Sequence, residues 1–143
     1  MCVTVNILVD PQTLERTRFG TVVGALCLSG PGWYFPDQYW SDFPVVVLSW
    51  WLTACQGVAS RVGSTGTFLF MDGPHTVRIS SLTEVEWRLE CIDGVGRVTH
   101  DASVSARHLR AAVEDASRTI VAACGARSWE SQDITTLRAV SRA

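Results

Sequence analysis

The three histidines and five cysteines carry the most reactive side chains of this chain, and their spacing argues against most of the chemistry they suggest. His75 falls in the turn signal Asp72-Gly73-Pro74-His75, His100 near the end of a strand-like run, and His108 early in a helix-like one. No two stand four residues apart, so no helix face offers the paired imidazoles of a zinc hydrolase. The sequence holds neither a nucleophile elbow nor a phosphate-binding loop, and Asp93-Gly94-Val95-Gly96 reads as a turn. His100-Asp101 would suit an oriented imidazole base, except that adjacent residues of a strand point to opposite faces. Cys2, Cys27, Cys55, Cys91 and Cys124 are odd in number, far apart and without a Cys-x-x-Cys pair. They read as reduced, buried thiols that pack like small hydrophobes. These residues predict no catalytic set, no metal site and no cofactor.

Groups that would bind rather than react are easier to find. In "TEVEWRLECID", residues 83–93, Val85, Trp87, Leu89 and Cys91 alternate with Glu84, Glu86, Arg88 and Glu90. Period-two alternation predicts a strand with the first set in the core and the second in water. With Asp93 the stretch carries four acids against one arginine, a candidate binding surface on which Arg88 interrupts the row. A second candidate is "WYFPDQYW", which puts Trp33, Tyr34, Phe35, Tyr39 and Trp40 in or beside a loop. Such a cluster closes the end of a sheet, anchors a protein partner or cages a small ligand. Trp33 and Tyr34 are the members expected to complete the acidic surface.

The elements that position these groups follow from periodicity. Ser49, Thr53, Gln56 and Ser60 are spaced 4, 3 and 4 apart, one narrow polar stripe on an otherwise apolar helix over Phe43–Val62. Asp42 is the expected N-cap, Pro44 sits in the first turn, and Gly63 can close the far end. Val45, Val46 and Val47 favour a strand locally, but the length and the stripe outweigh them. The run is too short and too polar to span a bilayer, which takes about 20 mostly apolar residues. Residues 2–9 and 21–29 read as strands, as do 67–72, 76–81 and 83–93, with a short strand near Arg97–His100. Leu109, Ala112, Val113, Ala116, Ile120 and Cys124 lie at helical spacing between a Ser105 cap and a Gly125 stop, and residues 131–142 add a short helix capped near Ser131. The fold class expected is α+β: a mostly antiparallel sheet of about five or six strands, a buried central helix, and one or two C-terminal helices packed on it.

At 143 residues and 47% hydrophobic, the chain 1–143 has the size and composition of one domain with one core. Its formal charge of −2 gives no basic field for nucleic acid. The first ten residues lack a basic segment and reach Asp10 too early for a signal peptide, so a cytoplasmic protein with no membrane contact is expected.

The segment from Trp40-x-Asp42-Phe43-Pro44 to Trp50-Trp51-Leu52, within a short α+β chain, resembles immunity proteins of bacterial polymorphic-toxin systems, including those of contact-dependent growth inhibition. The likeness covers less than a fifth of the chain and transfers no binding residue. It implies stoichiometric binding of a cognate toxin, the C-terminal domain of a large secreted protein and often a nuclease, in the cell that makes both. An acidic surface would suit a basic nuclease cleft by mimicking phosphates and steering association. A small-ligand or regulatory module, and an enzyme of unknown type, stay open beside that reading.

Overall fold

Val22, Gly24, Leu26 and Leu28 alternate with Val23, Ala25, Cys27 and Ser29, and this makes residues 22–30 the strand around which the first sheet is built. In the computed structural model, which describes residues 2–142, the strand is β3 (Val22–Gly30). It pairs antiparallel with β1 (Asn6–Val9) and then β2 (Glu15–Arg16), and also with β4 (Trp33–Phe35) and then β5 (Ser41–Asp42). Both successions are broken opposite the middle of β3. Between β1 and β2 the chain leaves the ladder in a 3-10 turn at Pro11–Thr13, and between β4 and β5 it leaves in residues 36–40. The Ala25 and Leu26 N–H groups still find acceptors there, in the Thr13 hydroxyl at 2.9 Å and the Trp40 carbonyl at 3.0 Å. Gly24 is glycine because Leu14 lies against it: an added Cβ would meet the Leu14 side chain at 2.7 Å.

The central helix α1 (Pro44–Ala59) follows, with Phe43 rather than Asp42 at its N-cap and with a shorter C-terminal reach than the stripe predicts. The stripe itself faces outward, while Val45, Leu48, Trp51, Leu52, Cys55 and Val58 are buried. Of the paired tryptophans, Trp51 is fully buried and Trp50 is 40% exposed, since neighbouring residues on a helix lie about 100° apart.

The second sheet is an antiparallel meander, β6 (Thr65–Leu69), β7 (Thr76–Ser81), β8 (Glu86–Ile92) and β9 (Val98–Ser105), in that spatial order. Helices α2 (Ala106–Ala126) and α3 (Gln132–Arg142) close the chain. Ser105 caps α2 and Ser131 caps α3, each hydroxyl accepting a backbone N–H at 3.2 Å. Gly125 lies inside α2, and Ser128 adopts the positive φ past its end. The α+β class, the antiparallel pairing and the packed helices are as the sequence predicts. The strands divide between two sheets, however, and β9 runs to Ser105 instead of stopping near His100. A parallel bridge between Val3 and Val104, with the Val3 N–H donating to the Ser103 carbonyl at 2.9 Å, joins the sheets. Helix α1 packs against β3, β6, β7, α2 and α3, so one apolar core serves the whole chain.

Candidate partner-binding surface

The acidic row does not form a free strip. Strand β8 begins only at Glu86, so Glu84 lies in the preceding turn, and Val85, expected in the core, is 74% exposed. Trp87, Leu89 and Cys91 are buried as predicted. Glu90 is only 8% exposed and sits between two arginines, 3.0 Å from Arg78 of β7 and 3.6 Å from Arg88. Arg88 also makes a two-armed pair with Asp101 of β9, at 2.6 and 3.1 Å. That hydrogen bond holds the Asp101 carboxyl below its ordinary range and pushes the Arg88 guanidinium up. Asp93 turns onto its own loop: its carboxylate accepts from the Arg97 and Val95 N–H groups at 2.9 and 3.0 Å, and the Arg97 bond leads in lowering its pKa. Of the predicted set, Glu84 and Glu86 keep carboxylates outside any ion pair among the described residues.

The aromatic stretch divides into two groups. Trp33 stacks on His100 with ring centroids 4.4 Å apart, and its indole covers Gly30, where a Cβ would collide with it. Phe35 meets Phe70 and His75 edge-on at 6.0 and 5.6 Å, and Trp40 meets the same two rings at 6.4 and 5.2 Å. These three side chains close the seam between the sheets. Asp42 completes that seam. Its buried carboxylate accepts from the Trp40 indole at 2.9 Å and from three backbone N–H groups: Phe43 at 2.7 Å, Met71 at 3.1 Å and Asp72 at 3.2 Å. An acid just before a helix start reads as a cap; this one also ties down a loop about thirty residues away, for which local sequence holds no signal.

Tyr34 and Tyr39 point the other way. Residues of β4 alternate, so with Phe35 inward Tyr34 lies on the outer face of the first sheet, and Tyr39 is 82% exposed on residues 36–40. They flank an open groove of about 630 Å³ whose floor is the outer face of β3, with Leu8 of β1 on its wall. Its ends are the two excursions that break the ladder, contributing Asp10 and Thr13 on one side and Gln38 and Tyr39 on the other. Cys27 lies in the floor, its thiol 3.6 Å from the Gln38 carbonyl and pushed up to about 11, first by burial and then by Asp37. The acid–aromatic surface expected from Glu84 to Asp93 together with Trp33 and Tyr34 is therefore not assembled; only Tyr34 of that set lines the groove. Alternation in β3 and β4 was the available signal, but pairing partners were not.

All five cysteines are free; four are buried as expected, whereas Cys2 is exposed. Among the described residues no group of three or more His, Cys, Asp or Glu is placed to hold a metal ion, and no helix is long and apolar enough to cross a membrane. Comparison with protein-family models, curated proteins and solved structures finds no match to this chain.

Proposed function

We propose that the protein works by stoichiometric binding of a protein toxin, occluding its active site in the cytoplasm of the cell that makes both, in the manner of the immunity proteins its Trp40–Leu52 segment resembles. The observation that carries this reading is the groove: Leu8, Tyr34 and Tyr39 form an exposed apolar and aromatic surface on the outer face of the first sheet. Tyrosines offer large contact area at small entropic cost and recur as interface anchors. Free thiols suit a reducing compartment. The binding surface proposed is thus the first sheet, with the paired acids of β8 held in structural roles.

The test is co-expression with a toxin domain encoded by the reading frame next to this chain's gene, whose presence there is the first requirement of the reading. Growth should be restored by the wild type and not by Tyr39→Asp, with both variants folded by circular dichroism. Failure of the wild type to protect, or to bind the purified toxin domain at one-to-one stoichiometry, overturns the reading. A small-ligand module is the second reading, favoured by a groove volume inside the range of ligand pockets. Saturable thermal stabilisation by a metabolite that Tyr39→Asp abolishes, without toxin protection, would establish that alternative.

A further inference from the structure

We propose, resting on that reading, that the groove receives an arginine side chain presented by the partner, its aliphatic stem along Leu8 and Ala25 and its guanidinium at the acidic rim. The residues of fixed charge that line the groove are Asp10 and Glu15, both acids. The Glu15 carboxylate makes neither a hydrogen bond nor an ion pair among the described residues, and only one Asp10 carboxylate oxygen is used, accepting from the Gln12 N–H at 3.0 Å. Acceptors are therefore left over at the rim, in contrast to Glu90 and Asp101, whose oxygens meet arginines of this chain. Arg127, at the C-terminal cap of α2, reaches the 3-10 turn but is committed there to the Pro11 and Ala123 carbonyls at 2.8 and 3.2 Å.

The walls match the rest of such a side chain. Tyr34 and Tyr39 line the groove, and an aromatic ring attracts a guanidinium as well as an apolar stem. A planar guanidinium is weakly hydrated and holds carboxylates through two parallel bonds, so it tolerates a half-apolar groove better than an ammonium. An anionic or purely aliphatic occupant would leave the two carboxylates facing it unpaired. The occupant is thus a basic segment of the partner, as a protein that handles a polyanion would carry.

The measurement is an amide NMR titration of the full chain with acetyl-Gly-Arg-Gly-amide, using acetyl-Gly-norleucine-Gly-amide and acetyl-Gly-Glu-Gly-amide as controls. The arginine peptide should give saturable shifts at Leu8, Ala25 and Tyr39, with binding at least five-fold weaker for the norleucine peptide and none for the glutamate peptide. Glu15→Lys, on an exposed edge, should fold normally and weaken the arginine peptide at least five-fold; Glu15→Gln should fall between. Equal binding of arginine and norleucine, indifference to Glu15→Lys, or shifts on the second sheet instead would overturn the assignment. The two proposals fail separately. A toxin neutralised equally by wild type and Glu15→Lys removes the arginine site and leaves the binding function, whereas a peptide seated in the groove with no toxin neutralised does the reverse.

Discussion

On the outer face of the second sheet, Arg78, Arg88, Glu90 and Asp101 neutralise one another across three strands; on the outer face of the first, Glu15 and half of Asp10 face solvent beside exposed tyrosines. Both faces come from antiparallel strands of ordinary composition. They differ in continuity. Over Glu86–Cys91 the ladder to β9 is unbroken, its register shift falling only at Cys91–Ile92, and such a ladder sets cross-strand side chains about 5 Å apart, close enough for charges to pair in rows. Where the partners of β3 leave the ladder, at residues 10–14 and 36–40, the neighbouring side chains are carried off the face and a groove opens over the strand. An ion-paired face is satisfied by its own chain, and a broken one is left with unmet contacts, which is why the first sheet is the face proposed to bind.

The widest break in this comparison should come from beneath both faces. Trp51 stacks on Phe68 of β6 with centroids 4.9 Å apart and donates to the Leu69 carbonyl at 2.8 Å. Trp51→Ala should cost roughly 3–5 kcal/mol in denaturant unfolding and loosen both sheets together. Trp50→Ala should cost under about 1 kcal/mol, and equal losses for the two would refute the burial described. Asp42→Ala separates the faces: it leaves the Trp40 indole and three backbone N–H groups without their acceptor, for about 2–4 kcal/mol. Hydrogen exchange should then accelerate at Met71 and Asp72 and leave the β7–β8 ladder protected.

On the second face alone, Glu90→Gln should cost only about 1 kcal/mol, shrinking in high salt, because Arg78 and Arg88 are half exposed and rehydrate. The same face carries a pH signature. Asp101 has a folded pKa below its ordinary 3.8, so its contribution is complete well above pH 3.8 and fades as pH falls through the lowered value. Acid titration followed by NMR should show the Arg88–Asp101 contact persisting below pH 3.8 and released only as pH falls through that lowered value. The smallest effect is chemical. Cys27 is raised to about 11, and Cys55 and Cys91 to about 12, chiefly by burial, so alkylation of the native protein near pH 8 should mark Cys2 alone. With folded values above the ordinary 9.0, the stability these buried thiols contribute is complete below pH 9 and lost as pH climbs toward 12.

How far such features can be read in advance depends on the range of the interaction. The stripe of α1, the alternation in Trp87, Leu89 and Cys91, and the caps Ser105 and Ser131 are local, and periodicity reveals them. Alternation reports which way a residue faces but not which strand lies beside it, so the division into two sheets and the pairing of Glu90 with Arg78 were hidden. The alternating pattern runs through Glu84 and Val85 and predicts a strand there, whereas the Ser81–Glu86 turn interrupts it: the Leu82 and Thr83 N–H groups both donate to the Glu86 carbonyl. The candidate site followed the same rule. Tyr34 stands out as a candidate from its type, but the groove beside it depends on two excursions meeting across β3, and neither announces the other.

The bridge between Val3 and Val104 has a consequence in time. Within each sheet the strands pair with near neighbours in sequence, a meander in one and short returns about β3 in the other. The bridge joins residues about a hundred apart, a loop whose closure costs on the order of 4 kcal/mol of chain entropy. Each sheet can thus nucleate from contacts of low sequence separation, while this bridge waits until most of the chain is already in place. The bridge is thus expected to close later in folding than the Asp42 tie to Met71 and Asp72, which spans only about thirty residues, and to part before it in the native state.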